Sequence, residues 1–204
     1  TMNVLSITGL DANQVAPIVK GLQQLLADFQ VYYANLRGYH WHVRGPQFFT
    51  LHSQFEKMYD EAAESVDEIA ERILQLGATP ENRFSEYLKI SQLKEQTNVS
   101  AASDIISAIL ESLRVLIAQE RAVLALADEA GDTATSDLLS DLLDGQEKTA
   151  WMPTSAKHLA PRAYLIYTTS HPAVSHPHIS GTWRLRGSCF MSVSRGELAT
   201  FARN

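Results

Sequence analysis

The feature that most constrains this chain is a stripe of apolar residues that repeats with the 3.6-residue period of an α-helix. Between positions 11 and 41 the stripe consists of Val15, Ile18, Val19, Leu22, Leu25, Leu26, Phe29, Tyr32, Tyr33 and Leu36. An Asp or Asn just before such a stripe is a typical helix N-cap, so we expect the helix to begin at Asp11 or Asn13. A helix with one apolar face must bury that face against other elements.

Three further stretches with helical periodicity predict the elements that bury it. Their expected bounds are, in chain order, about Gln47 to Leu76, Ser100 or Ser103 to Gly131, and Asp132 or Thr133 to Pro153. Gly77, just past the second helix, is expected to form a left-handed cap. The polar connection at 77–100 has room for one short helix near Ser85–Ile90. Two helical hairpins joined by a longer connection predict an all-α antiparallel four-helix bundle.

The composition changes after Met152, which predicts a helical domain over residues 1–152 and a C-terminal tail over 153–204. Four of the seven Pro and four of the seven His lie in the tail. Its sequence has no helical period, so we expect short strands, such as Arg162–Thr168, or no regular structure.

The charge is distributed as unevenly as the prolines. Residues 1–152 carry 22 acidic and 11 basic side chains, whereas the tail carries one acidic and six basic ones. The acidic body should attract cations rather than nucleic acid or an anionic membrane. The single cysteine, Cys189, excludes an intrachain disulfide, and no apolar run reaches 18 residues. Because no signal peptide is visible at the start either, we expect a cytoplasmic protein.

Two pairs of possible metal ligands lie on the second helix. His52 and Glu56 are four residues apart, as are Asp67 and Glu71, so the members of each pair share a helix face. Eleven residues separate Glu56 from Asp67, about 20° more than three full turns, which places both pairs on one stripe. Along the axis the pairs are about 16 Å apart, so one ion cannot contact both pairs of the same chain.

A two-fold axis near residues 61 and 62 would remove this difficulty. If the helix packs antiparallel against its own copy, each His52–Glu56 pair faces the Asp67–Glu71 pair of the other chain. His40, at the end of the first helix, could complete each site. The spacing therefore allows a metal site, but only between two chains.

A solvated acidic face is the alternative interpretation, since acids four residues apart usually face water. Asp60 and Glu64 add to the charge of this stripe, and like charges at this spacing destabilise a helix unless a cation offsets them. A di-iron site within one bundle uses a Glu three residues before a His, and no His of this chain has one. Spacing alone leaves both interpretations open.

The segment from position 40 to 73 contains a characteristic set of residues, namely His40-Trp41, Gly45, Phe48-Phe49, Leu51-His52, Phe55-Glu56, Tyr59 and Asp67-x-x-Ala70-Glu71-Arg72-Ile73. In these residues the segment resembles the Dps family, the miniferritins of starved bacterial cells. Residues 10–152 take part in the likeness, which implies a ferritin-like bundle and a hollow shell of twelve subunits. It further implies an enzyme, a ferroxidase, that oxidises iron with hydrogen peroxide or dioxygen at dimer interfaces and stores the mineral inside, protecting against oxidative damage.

The resemblance also implies a set of iron ligands. They are His40, His52 and Glu56 from one chain with Asp67 and Glu71 from its two-fold partner. Glu56 stands where many members have Asp, so its longer arm could coordinate through water. Trp41 would sit beside the site as a radical trap, or as a packed interface aromatic. His42 occupies no ligand position of the family, and we expect it to be structural.

Entry of iron and binding of DNA are two further expectations. Asp132, Asp137 and Asp141 match the segment that lines the family's three-fold pores, although Asp132 could equally be a helix cap. DNA binding is the alternative function. Because the first 19 residues contain no Lys or Arg, it would depend on the basic tail, whose basic residues are Lys157, Arg162, Arg184, Arg186, Arg195 and Arg203. The tail histidines His171, His176 and His178 are scattered in a loop-like sequence, which usually does not bind metal.

Overall fold

The computed structural model describes residues 4–157, with side chains as far as residue 152. Six helices follow one another: α1 (Val4–Thr8), α2 (Ala12–His42), α3 (Phe48–Gln75), α4 (Phe84–Ile90), α5 (Ala102–Ala130) and α6 (Thr133–Lys157). The four long helices pack together, with α2 against α3 and α5, and α6 against α5 and α3. This arrangement confirms the predicted four-helix bundle with a short helix in its long connection.

The core of the bundle is built around the apolar stripe of α2. Eight of its ten side chains are buried, and Val19 and Tyr33 are partly buried against them. The other helices contribute further buried residues, among them Phe55, Ile69, Ile73, Ile105, Leu113, Leu116 and Leu139. Gly21 of α2 packs closely against α5, since an added Cβ would lie 2.4 Å from Cγ2 of Val123. A side chain larger than hydrogen at this position would force Val123 or one of the two helices to shift.

Most helix ends lie where the sequence predicts them. Asp11 caps α2, since its carboxylate accepts hydrogen bonds from the N–H groups of Asn13 at 2.7 Å and Gln14 at 3.3 Å. Gly77 and Gly131 follow α3 and α5 with φ angles of 79° and 69°, the left-handed conformation expected of them.

The predicted start of α5 at a serine cap is wrong. The N-cap is Ala101, and no side chain caps this end. Instead, the N–H of Arg44 donates to the carbonyl oxygen of Ser100 at 3.0 Å, so a backbone contact with the α2–α3 loop fixes where α5 begins. Neither serine side chain takes part in this contact, since Ser100 contributes only its backbone carbonyl oxygen, and this explains why the side-chain cap signal failed.

The predicted end of the fourth helix at Pro153 is also wrong, because α6 continues to Lys157. A proline removes one backbone hydrogen bond but leaves the dihedral angles of a helix accessible, and Pro17 likewise lies inside α2. The possible strand at Arg162–Thr168 and the tail histidines lie outside the described residues. Among the six helices of residues 4–157, none is long and apolar enough to cross a membrane.

Polar side chains of α2 fasten the long connection between α3 and α5. The buried Asp28 accepts hydrogen bonds from the Ser91 hydroxyl at 2.7 Å and the Gln92 N–H at 2.6 Å. Asn35 accepts from the N–H of Gln96 at 2.8 Å and donates to the carbonyl oxygen of Lys94 at 2.9 Å. These hydrogen bonds therefore hold the connection against α2.

Candidate metal centre

His40 of α2 and His52 of α3 lie against each other where these helices meet. Their rings are stacked, with centroids 3.7 Å apart and planes inclined by 23°. The Nδ1 of His40 donates to the carbonyl oxygen of His52 at 2.8 Å, and the Nδ1 of His52 donates to the carbonyl oxygen of His40 at 2.9 Å. Each ring is thus held by the backbone of the other residue.

These reciprocal bonds determine the tautomer of both rings. A carbonyl oxygen can only accept, so each Nδ1 carries a proton, and the tautomer that this selects has its lone pair on Nε2. Histidines that bind metals typically donate their other ring N–H to a carbonyl or a carboxylate in this way. The Nδ1 of His42 bonds to the carbonyl oxygen of Gly38 within the same helix at 2.7 Å, which fits the structural role predicted for it.

Two aromatic rings that received no role from the sequence enclose the pair. Phe48 stacks on His52 with centroids 5.0 Å apart, and Tyr59 meets His40 edge-on at 5.4 Å. Burial and the negative charge of Glu56 raise the pKa of Tyr59, so this phenol stays neutral. Phe48 and Tyr59 lie four residues before and seven after His52, a helical spacing that could have revealed them.

The predicted carboxylate ligands are exposed along α3. Glu56 lies one turn from His52, whereas Asp67 and Glu71 lie near the other end of the helix, about 16 Å further along its axis. Within the part of the chain that the structure describes, no three His, Cys, Asp or Glu side chains of one chain come together as a metal site. One chain therefore brings His40 and His52 together and leaves Asp67 and Glu71 apart from them.

Trp41 follows His40 directly and is 63% exposed. The guanidinium of Arg37 lies 5.3 Å from its ring centroid and 4.8 Å from that of Tyr33, two cation–π contacts that orient the indole. The ring is therefore held by Arg37, and most of its surface is exposed.

The three acids at the start of α6 occupy different surroundings. Asp137 and Asp141 are exposed, but Asp132 is only 2% exposed. Its carboxylate caps α6, accepting from the Thr135 N–H at 3.2 Å, and forms an ion pair with Arg72 of α3 at 2.5 Å. This buried cluster joins the start of α6 to the end of α3, one residue after Glu71.

Known proteins resemble the chain over the same region. Residues 19–159 match the family described as Ferritin-like domain. The DNA protection during starvation protein of Porphyromonas gingivalis is 55% identical over 149 residues, which are 73% of this chain and 94% of that protein.

Solved structures show the same likeness. A Dps protein of Vibrio cholerae, titled a member of the ferritin-like diiron-carboxylate proteins, superposes with a TM-score of 0.70 at 42% identity and covers 72% of this chain and 92% of its own. A second solved structure is a Listeria innocua Dps variant in which two histidines twelve positions apart are replaced by glycine. It superposes with a TM-score of 0.67 at 25% identity, and the superposition covers 69% of this chain and 94% of that chain. The histidine pair at 40 and 52 has the same interval. On these grounds the chain belongs to the Dps family of ferritin-like proteins.

Proposed function

We propose that the chain is a ferroxidase and an iron-storage protein, which oxidises Fe(II) at sites shared by two subunits and stores Fe(III) in a dodecameric shell. Membership of the Dps family supports iron storage or DNA protection in general. The observation that carries the more specific proposal is the reciprocal bonding of His40 and His52, because it fixes two rings with their Nε2 lone pairs free.

The proposed ligands combine two donor types. His40, His52 and Glu56 belong to one subunit, and Asp67 and Glu71 come from its partner. Imidazole nitrogen suits Fe(II), and carboxylate oxygen favours the ferric product because added negative charge stabilises the higher oxidation state. A mixed set of this kind holds the substrate ion before oxidation and still binds it afterwards.

The proposal of a shared site is supported by which face of α3 is exposed. Phe55 and Ala62 are buried in the bundle, while Glu56, Asp67 and Glu71 point away from it. A two-fold axis at the level of residues 61 and 62 brings position 52 opposite 71 and position 56 opposite 67. Two sites then form at each interface. Twelve chains of 22.6 kDa should give a shell of about 270 kDa in light scattering.

Hydrogen peroxide is the oxidant that we expect, on the strength of the family resemblance. Two Fe(II) ions each lose one electron, and peroxide accepts both electrons with two protons to give two molecules of water. Because the transfer of two electrons bypasses the one-electron product, hydroxyl radical, this reaction would protect the cell. Dioxygen is the other oxidant to be compared.

Iron would reach the interior through pores lined by α6. Asp137 and Asp141 are exposed near the start of this helix, where three copies would form a ring of negative charge that concentrates cations. Asp132 was included in this prediction, but its carboxylate is occupied by Arg72 and Thr135. We therefore assign entry of iron to Asp137 and Asp141.

DNA binding through the basic tail is the second candidate function. It is favoured by the six basic residues against one acidic residue after position 152 and by the name of the Porphyromonas gingivalis relative. Binding of this kind should weaken steeply with salt and disappear when the chain is truncated after Met152. A truncated shell that still retards DNA would show that the acidic body, and not the tail, carries the contact.

The test of ferroxidase activity replaces both His40 and His52 with glycine, with His42→Gly as the matched control. The bundle should still form, since its apolar core is unchanged. Oxidation of Fe(II) followed by stopped-flow absorbance should slow by about tenfold or more in the double variant and remain near wild type in the control. Equal rates in all three proteins would refute the proposed site.

A further inference from the structure

A carboxyl group that plays no part in the proposed iron chemistry lies between α5 and α6. Glu120 of α5 is fully buried, and the side-chain amide of Gln146 on α6 donates a hydrogen bond to its Oε1. One residue further along both helices, Arg121 and Glu147 form an ion pair whose side chains are more than half exposed. The two helices are thus joined by a buried polar contact next to an exposed ionic one.

The buried contact contains two oxygen atoms that cannot bond to each other if both are acceptors. Glu120 Oε2 and Gln146 Oε1 are both buried and have no hydrogen-bond partner among the residues that the structure describes. If Glu120 is ionised, both atoms are acceptors, and an unsatisfied buried acceptor is costly. A proton on Oε2 turns that atom into a donor. An acid and an amide already joined by one N–H···O bond hold their remaining oxygens side by side, so this donor would face Gln146 Oε1.

We propose that Glu120 is a neutral carboxylic acid paired with Gln146, and that this pair is a pH-sensitive contact between α5 and α6, which holds while Glu120 is protonated. With the proton present, both orphaned oxygens are satisfied. Without it, a negative charge stands in the core beside an amide oxygen, and the contact between the two helices weakens.

The surroundings offer little to stabilise the ionised form. Burial raises the pKa of Glu120 to about 7, against smaller lowering effects of the Gln146 hydrogen bond and of Arg121. In the part of the chain that the structure describes, no Lys, Arg or His is among the fully buried residues, and the mostly buried Arg72 is paired with Asp132. Arg121, the nearby cation, is already paired with Glu147.

The other titratable groups on the packed helices do not change this conclusion. On α2, Asp28 is bonded to the connection, and burial keeps Tyr32 neutral by raising its pKa. A cavity of about 220 Å³ borders Gln146, and its acidic lining residues on α3 and α6 are Glu61, Glu64, Glu68 and Asp141. These carboxylates would disfavour a further negative charge nearby, and the cavity gives water a route to the pair once it opens.

The sign of the pH dependence follows from the direction of the shift. The pKa of Glu120 is raised in the folded chain above its ordinary value of 4.5. The stabilisation is therefore complete below about pH 4.5, declines as pH rises towards 7, and is lost above it. A carboxylate held in a salt bridge would behave in the opposite way.

The test compares the wild-type shell with Glu120→Gln, which keeps the shape of the pair and cannot ionise. Thermal unfolding and urea unfolding are followed at several pH values between 4.5 and 8.5 at fixed protein concentration. Relative to the variant, the folding equilibrium constant of the wild type should fall by up to about tenfold per pH unit between 4.5 and 7, and then level off. The matched control is Glu147→Gln, which removes the exposed ion pair with Arg121, and it should show no such trend.

A second measurement keeps the proposal testable if Glu120→Gln does not assemble. Infrared spectra of wild-type protein with isotope-labelled glutamate should show a protonated carboxyl band at pH 5.5 that loses about half of its intensity near pH 7 and is absent by about pH 8.5. Gln146→Leu should move this titration, because it removes the amide from the pair. An ionised Glu120 at pH 5.5, or a wild-type stability that follows the Glu120→Gln variant at every pH, would overturn the proposal.

Discussion

The buried ion pair between Arg72 and Asp132 gives a prediction that separates a structural role from a role in iron entry. In Asp132→Asn the new side chain keeps an oxygen that can still cap α6, but the negative charge opposite Arg72 is lost. Breaking a buried pair by neutralising one partner costs about 3–5 kcal/mol. The Arg72 side chain is 12% exposed and retains bonds to Gln75 and Thr135, so we expect a loss below this range, about 2–3 kcal/mol.

The assay is thermal unfolding followed by circular dichroism at one protein concentration, since assembly itself stabilises the subunits. For a chain of this size the loss corresponds to a decrease in Tm of about 5–10 °C. Asp137→Asn is the matched control, because the same chemical change at an exposed position should alter stability by less than about 0.5 kcal/mol. If the two variants melt together, the cluster at Asp132 does not stabilise the fold as argued.

Three further predictions concern other parts of the molecule. Gly21→Ala should be less stable than Gly145→Ala by about 1–3 kcal/mol in paired thermal melts, because the new methyl group collides with α5 only at the first position. Asp28→Ala should release the connection at 76–101, so its amide hydrogens should exchange faster while those of the bundle stay protected. Replacing Asp137 and Asp141 together with Asn should slow Fe(II) uptake several-fold at low salt, and added salt should reduce the difference from wild type.

The bundle could be predicted from the sequence because its signals are local and repeated. The stripe beginning at Val15, the cap at Asp11 and the glycines at 77 and 131 each act within one or two helical turns, and all of them lie where expected. The start of α5 and the end of α6 were predicted wrongly for a common reason. In each case one residue type was assumed to determine the helix end. A backbone contact, and not a serine side chain, determines the start of α5, and α6 continues through Pro153.

The candidate site was only partly accessible to the same reasoning. Periodicity along α3 identified which side chains share a face, but it could not show that His40 and His52 hold each other through their backbones, since this contact joins two helices. The pair formed by Glu120 and Gln146 was missed because 26 residues separate its members and a glutamate in an acidic chain carries no signal of burial. The histidine pair and the Glu120–Gln146 pair are both formed by contacts between two helices. The helical period of one segment carries no information about such contacts.

The most direct test of the shared site uses two different inactive subunits in one shell. One variant replaces His52 and Glu56 with alanine, and the other replaces Asp67 and Glu71 with alanine, so every site of either homogeneous shell lacks ligands. In a mixed dimer one site loses all four ligands and the other keeps all four. Random pairing of equal amounts should therefore restore about a quarter of the wild-type rate of Fe(II) oxidation. Co-assembly proven by native mass spectrometry, with no recovery of activity, would contradict a site built from two chains.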